Sequence, residues 1–311
     1  MFHRVGVLVF TLLSMITGSP VMAQPAPPLK CVTFNALHGG VFSGLRGNGQ
    51  DLDQRLEIAV EEFQALQPDV IGLQEASTGR QRGNVAERLA TQLGFHYVYA
   101  PASFRLFTSE TVNSVISWVM NFTEGPAIVS RFPIVSSETY DLPRCGRFTD
   151  PRVLLCAELE TPWGRVHACS THISGDVCQA ESIISFLRQR HNSLPLLLMG
   201  DFNATESSPA ITALTQEAGF VDTFRIANPH APGLTVWQWV YALRPTAFRR
   251  VDYLFLLPGT DFPGKVVDSR LVLNAPRHLQ DGQVLWPSDH YGVLTEVELF
   301  PPAQQNIILP Y

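Results

Sequence analysis

The sequence predicts an α/β protein with mixed sheets, built as a single domain over residues 29–300. Three observations carry this. Short apolar segments alternate with amphipathic ones near both ends of the chain, the middle is rich in hairpins, and no internal repeat or long linker divides it. With 311 residues, 45% of them hydrophobic, the chain can bury a substantial core.

Residues 1–23 are set aside first. Arg4, an apolar run from Val5 to Ile16 and Val21-Met22-Ala23 read as a secretory signal cleaved after Ala23. The run falls short of the roughly 18 apolar residues a membrane span wants. A secreted or periplasmic location is therefore expected. Gln24–Pro28 is a short Pro-rich lead.

Leu29–Ala36 reads as a strand entering a glycine-rich loop. Leu52–Gln67 has helical apolar spacing (Leu52, Leu56, Ala59, Val60, Phe63, Leu66) and is stopped by Pro68. Val70–Gln74 is a short strand ended by Glu75, Val85–Leu93 a helix closed by Gly94, and His96–Ala100 a strand. Residues 101–124 are irregular and aromatic, with Phe104, Phe107, Trp118 and Phe122. Pro126–Ser130, Val153–Glu160 and Gly164–His172 read as strands, Ala180–Arg190 as a helix, Pro195–Gly200 as a strand and Pro209–Ala218 as a helix. Val251–Leu257 and Tyr291–Leu299 complete the strands, and 301–311 form a tail.

The formal charge is −6, and losing the signal removes Arg4 and no acid. Only Lys30 is a lysine in the first 260 residues, and no Lys/Arg tract occurs. Long-range attraction to a polyanion is not indicated, although a local arginine cluster could still act. The five cysteines (Cys31, Cys145, Cys156, Cys169, Cys178) form no Cys-x-x-Cys pair, which argues against a zinc ribbon. In an exported chain disulfides are the default. If Thr161–Gly164 closes a hairpin, Glu160 opposes Arg165 and Cys156 faces Cys169; Cys178 is the competing partner for Cys169. Cys31, on an apolar strand, is expected to stay a buried thiol.

Polar groups with chemistry recur at strand ends. One strand ends at Thr33-Phe34-Asn35, the next at Leu73-Gln74-Glu75, and later ones at Ser170-Thr171-His172 and Gly200-Asp201-Phe202-Asn203. Val251-Asp252-Tyr253 opens a strand, and Ser288-Asp289-His290 precedes the last. Strand ends on one edge of mixed sheets converge, so these residues are expected in one crevice. Each also has a bland reading as a cap, a turn or a satisfied core histidine; the ordered set is what argues for function. Carboxylate and amide oxygens without clustered thiols suit a hard cation, Mg²⁺ or Mn²⁺ in its place. Histidines beside carboxylates suit proton transfer near neutral pH. Together these groups suit phosphate ester hydrolysis.

The ordered set TFN, LQE, GPAIVSRFPI, STH, GDFN, VDY and SDH resembles the endonuclease/exonuclease/phosphatase superfamily over about residues 30–298. The resemblance implies a four-layered α/β sandwich, two packed mixed sheets with helices outside. It implies Glu75 as the principal metal ligand, with Asn35 beside it and Asp289 contributing. It implies His290 as general base oriented by Asp252, Asp201 and Asn203 as positioners of nucleophile and phosphate, and His172 as donor to a phosphoryl oxygen. Arg152 stands where members often carry an arginine beside this network, and Arg131 reads as structural. Ser170 departs from the usual Asn-Thr-His. Asn35-Ala36-Leu37-His38-Gly39-Gly40 resembles the N-x-x-H-G start of many small bacterial members; His38 either lines the pocket or stabilises the loop.

The motifs indicate the reaction and leave the substrate open. Loops 39–50, 101–124 and 225–249 surround the crevice, the last with Trp237, Trp239 and Tyr241 before Arg244, Arg249 and Arg250. These aromatics could stack on bases, enter a lipid interface or pack beneath the loop. The favoured expectation is a secreted metal-dependent phosphoesterase or phosphodiesterase acting on a small or lipid-borne phosphate. A DNase-like nuclease acting on nucleic acid and a non-catalytic binding module are the alternatives. No stable protein partner is indicated, and a monomer is expected. Asn203-Ala204-Thr205 fits a glycosylation sequon; a sugar there would block the expected site, so it reads as a chance match.

Overall fold

A computed structural model describes residues 27–300 apart from 39–48, 81, 103–108, 110, 114, 116–122, 146–150, 191–192, 261–262 and 281. The expected signal, most of the Pro-rich lead, most of loops 39–50 and 101–124, and the tail 301–311 lie outside the described residues.

The chain runs through β1 (Leu29–Asn35), α1 (Leu52–Leu66), β2 (Val70–Gly79), β3 (Gly83–Asn84), α2 (Val85–Leu93) and β4 (His96–Tyr99). Next come β5 (Thr123–Ser130), β6 (Ile134–Asp141), β7 (Val153–Thr161), β8 (Gly164–His172), α3 (Val177–Arg190), β9 (Leu196–Asp201), α4 (Pro209–Thr212), β10 (Val221–Asp222) and α5 (Thr223–Ala227). β11 (Asp252–Leu257), β12 (Gly264–Val272), β13 (Arg277–His278), β14 (Val284–Leu285) and β15 (Gly292–Leu299) complete it. The helix ends follow local chemistry. Asn84 Oδ1 accepts from Ala86 N and Glu87 N at the start of α2, and Gly94 closes it at φ 70°.

Two mixed sheets result. One has the order β12-β15-β1-β2-β5-β4, with β3 on β2; the other has the order β10-β11-β9-β8-β7-β6. Each holds one parallel pair near its centre, β1/β2 and β8/β9, crossed by α1 and α3 respectively. Cys31, Val70, Ile128, Leu155, Leu197, Met199 and Leu254 fill the space between the sheets. Val32, Phe34, Ile71 and Leu73 point outward against Leu56, Ala59, Phe63 and Leu89 of α1 and α2. Leu196, Leu198 and Phe255 point outward against Ile183, Leu187 and Leu214. This is the four-layered α/β sandwich. The alternation also explains Leu196–Met199: two residues face the other sheet and two face helices, so the run is apolar throughout. The sheets approach closely at Gly72, where an added Cβ would stand 2.7 Å from Met199 Cβ.

Several boundaries differ from those expected. β2 does not stop at Glu75 but continues to Gly79, with a register shift against β5 between Leu73 and Ala76. Pro209–Ala218, read as one helix, is α4 followed by a π-helical turn over Ala213–Glu217. β6 and β12 were not anticipated because both are edge strands. β6 is mostly exposed, so neither a buried run nor an apolar alternation marks it. The β7/β8 hairpin has the expected register, with Glu160 opposite Arg165 and Cys156 opposite Cys169. Cys156–Cys169 is a disulfide; Cys178 pairs instead with Cys145, and Cys31 is a buried free thiol. Arg131 is structural, bonded to Asp69 at 3.1 Å and lying over the Phe95 ring.

Candidate active site

Sheet topology decides which residues meet. The parallel strands β1, β2, β8 and β9 run toward one edge of the sandwich, and the antiparallel strands β11 and β15 begin there. Asn35, His172 and Asp201 therefore leave their strands where Asp252 and His290 enter theirs, and Glu75 joins them from the β2 register shift. In register, His172 lies beside Asp201 and Asp201 opposes Asp252.

Glu75 owes its direction to the backbone. It sits in the β2 register shift with φ at 53°, a left-handed conformation rare for a residue with a side chain. A bulge of this kind re-aims a side chain next to a site. Asn203, two residues beyond β9, is also left-handed at φ 50°. Both are local departures from relaxed geometry, of the kind that clusters where a site needs a particular direction.

The contacts are short and mutual. Asn35 Nδ2 donates to Glu75 Oε1 and to Asp201 Oδ2, each at 3.1 Å, while its Oδ1 accepts from Leu37 N at 3.0 Å. Asn35 thus braces two carboxylates with its amide nitrogen. Asp201 Oδ1 accepts from Asn203 N at 2.9 Å. Asn203 Nδ2 donates to Ile173 O at 2.9 Å and lies 2.9 Å from His172 Nε2, which leaves this sequon nitrogen fully engaged. His290 Nδ1 pairs with Asp252 Oδ2 at 2.9 Å, and its Nε2 is 3.7 Å from Asp201 Oδ2 and 3.9 Å from Asp289 Oδ1. Asp252 Oδ1 is buried without a hydrogen-bond partner. Ser288 Oγ donates to Asn35 O at 2.6 Å and accepts from His290 N, which ties the last strand entry to the first strand exit. Arg152 bonds Ser174 Oγ and lines a small cleft with Glu75, Glu124 and His172.

The electrostatics follow from this packing. Burial, then the Asp252 charge, push the Asp201 carboxyl up to about 7. Burial would lower His290, but Asp252, Asp201 and Asp289 outweigh it and hold the imidazole well above its ordinary value. His172 goes the other way, lowered by burial and by the Arg152 guanidinium. Burial would raise Glu75, but His38, His172 and His290 hold it at about 2.

Among the described residues two carboxylate–imidazole clusters result: Asp201, Asp252 and His290, and His38, Glu75 and Glu124. Asp289 belongs to neither. His38 sits against both glutamates, a placement compatible with either reading of its motif. Its Nε2 is 2.9 Å from Glu124 Oε2 and 3.3 Å from Glu75 Oε2, and its N–H donates to Glu75 Oε2 at 3.2 Å. Burial pulls His38 down, and the two glutamates push it up to about 9. Sequence reasoning missed Glu124, which precedes Gly125-Pro126 at the start of β5. It also missed Arg55, which is fully buried on α1 and donates to Gln50 O, Ala36 O, Pro287 O and Leu37 O at 2.8–3.1 Å. Arg55 occupies the apolar stripe of its helix between Leu52 and Ala59, and that placement was the available signal.

A family model described as Endonuclease/Exonuclease/phosphatase family matches residues 32–290, nearly the whole described chain. The chain belongs to the endonuclease/exonuclease/phosphatase family. Solved structures with a similar fold include a member of this family from Bacteroides thetaiotaomicron, 17% identical, TM-score 0.65, covering 89% of this chain and 96% of that one. A mannosyl-6-phosphatase of the same organism is 17% identical, TM-score 0.63, over 88% and 99% of the two chains. The human Nocturnin catalytic domain with bound sulfate is 19% identical, TM-score 0.62, over 89% and 95%. No curated protein matches the sequence. Among the described residues no helix is long and apolar enough to cross a membrane.

Proposed function

We propose that this member of the endonuclease/exonuclease/phosphatase family is a secreted, divalent-metal-dependent phosphoesterase. It hydrolyses a small or lipid-borne phosphate ester by in-line attack of water. The observation that carries the reading is the Asp252–His290 pair at 2.9 Å, with His290 Nε2 turned toward Asp201. A similar structure named a mannosyl-6-phosphatase, and another holding a sulfate, support a phosphate ester as substrate.

The donor set fits a hard cation. Glu75, Asp289 and Glu124 supply carboxylate oxygens, and the one free cysteine, Cys31, is buried between the sheets. Burial and the Glu75 charge raise Asp289, so added positive charge would relieve it. Glu75 and Asp289 would hold Mg²⁺, or Mn²⁺ in its place, with Asn35 bracing Glu75. The ion would neutralise phosphoryl charge and make the attacking water more acidic.

The chain's own residues do the rest. Asp252 holds Nδ1 of His290, leaving Nε2 to take a proton from water once positive charge in the crevice lowers the imidazole's affinity for it. Asp201 and Asn203 position the water and the phosphate. His172, beside Asn203, and Arg152 would face phosphoryl oxygens and stabilise charge there. Residues 29–300 would form the whole catalytic unit of a monomer, exported by residues 1–23.

The test is turnover of bis(p-nitrophenyl) phosphate, phospholipid and plasmid DNA with Mg²⁺, Mn²⁺ or EDTA. Activity that needs the metal and falls at least about 10³-fold in Glu75→Gln and His290→Ala is expected. Unchanged turnover in these variants removes the site assignment. Efficient, salt-sensitive cleavage of plasmid DNA favours the nuclease reading instead.

A further inference from the structure

The segment Val236–Arg249 forms an arm beside the site, and its two faces differ in an unusual way. Val236, Gln238 and Val240 are buried, whereas the alternate positions Trp237 and Trp239 are 50% and 65% exposed. An extended segment with one buried face normally turns polar residues to water; here it turns out two indoles. The return limb adds Phe248, 62% exposed, and the tip adds Leu243, 80% exposed. Three of the four large apolar side chains exposed by 60% or more among the described residues lie in this arm. Scattered exposed apolar residues need no explanation, but a cluster rimming a site does.

The arm is rigidly joined to the site. Val236 bridges both Arg249 and His290, Gln238 N donates to Asp289 O, and Tyr291 Oη donates to Gln238 Oε1, the last two at 2.6 Å. Trp286 N and Nε1 donate to Val240 O and Ala242 O. The Trp237 ring lies 6.3 Å from the His290 ring. Whatever the outer face rests on is therefore held at a fixed position relative to His290.

Charge narrows the occupant. From Thr223 to Val251 the chain has no Asp or Glu, although the whole protein carries −6. Arg244 is exposed at the tip, and Arg249 is half-buried with Nη2 toward Asn203 O. Arg225 is tied to Glu206, and Arg250 is buried against Asp222. Two available cations beside four large apolar side chains is the balance of an interfacial anchor, with indoles at the headgroup level and an arginine among phosphates. A nucleic-acid track would need a longer basic groove.

We infer that the outer face of this arm seats the protein on an anionic phospholipid surface, so that the phosphoester reaching His290 is that of a membrane lipid. The inference rests on the phosphoesterase reading for the chemistry, and on the arm alone for the surface. Binding can therefore be read without turnover. The protein is floated with phosphatidylcholine vesicles with and without phosphatidylglycerol, and indole emission is recorded. Binding to the phosphatidylglycerol vesicles with a blue shift is expected. Leu243→Ser and Phe248→Ser should each weaken it at least about tenfold while turnover of bis(p-nitrophenyl) phosphate stays unchanged. A wild-type protein that floats with neither vesicle, or variants that float as well as wild type, overturns the inference. So does loss of single-stranded oligonucleotide binding in the variants with no vesicle binding in the parent, which assigns the arm to bases. Vesicle binding without any phosphoester turnover upholds the surface and overturns the phosphoesterase reading.

Discussion

Replacing Arg55 with methionine should both destabilise the protein and impair its site. The side chain is fully buried and makes four hydrogen bonds to main-chain carbonyls: Gln50, Ala36, Pro287 and Leu37, at 2.8–3.1 Å. Burial pulls the guanidinium down to about 10, against the raising effect of Asp289, Tyr241 and Glu75, so it stays charged at neutral pH. Hydrogen bonds to charged groups contribute about 1.5–3 kcal/mol each, net of the hydration they replace, and four made by one side chain are not additive. The net loss in Arg55→Met, whose side chain is also long and unbranched, should be about 3 kcal/mol. Urea denaturation should show a lower midpoint at constant slope. Ala36 and Leu37 follow Asn35, and Pro287 precedes Ser288-Asp289-His290, so Arg55 holds two walls of the crevice together. A displacement near 1 Å there can cost about 10²-fold in kcat. Arg55→Lys, with the charge but no planar fork, should fall between. A methionine variant within about 1 kcal/mol of the parent and with unchanged kcat would refute the assignment of Arg55 as the tie between the walls.

Four further outcomes are expected. Asp252→Asn keeps a hydrogen-bonding group beside His290 Nδ1 but removes the charge; kcat should fall about 10²–10⁴-fold and the pH–rate profile should shift to lower pH. In EDTA, stability should fall as pH rises from about 4 to 7. Asp201, raised to about 7, binds a proton there in the folded state that it has lost when unfolded. Asp201→Asn should flatten that slope, as read from urea midpoints at each pH; an unchanged slope refutes the buried-acid account. Intact mass should show two bridges, and their reduction should cost about 3–4 kcal/mol each, for loops closed over 33 and 13 residues. Cys31 should react with thiol reagents only after unfolding.

The fold and most of the site were legible because both are written in strand ends. Leu196–Met199 reads as continuous apolar sequence since each of its faces meets another layer, and its polar successors Asp201 and Asn203 then stand out. The hairpin register that set Cys156 against Cys169 followed from a short turn. What stayed hidden depends on partners far apart in sequence. Edge strands β6 and β12 bury too little to show a pattern. Cys145 finds Cys178 across 33 residues, and Glu124 acquires meaning only beside His38, 86 positions earlier. Trp237 and Trp239 stood out as aromatics of a loop, but the sequence could not say whether they pack beneath it or face water.

Glu75 shows why these two kinds of information differ. As a polar residue after an apolar run it reads as the end of a strand, and functional interest follows from that reading. In the structure β2 continues to Gly79, and the carboxylate reaches the crevice because the strand bulges at that point and Glu75 adopts φ 53°. A regular strand would alternate strictly, sending Glu75 to the face shared by Leu73 and Ser77. Two residues the motifs name, Asn35 and His38, and one they do not, Arg55, oppose this strain. His38 meets one carboxylate oxygen with its N–H and its ring, and Asn35 Nδ2 holds the other. Arg55 in turn fixes the Ala36–Leu37 segment between them. The position of the principal carboxylate is thus set by a left-handed backbone, a histidine loop and a buried arginine acting together. Loss of Arg55 should accordingly be felt at Glu75, although nothing places the two side chains in direct contact.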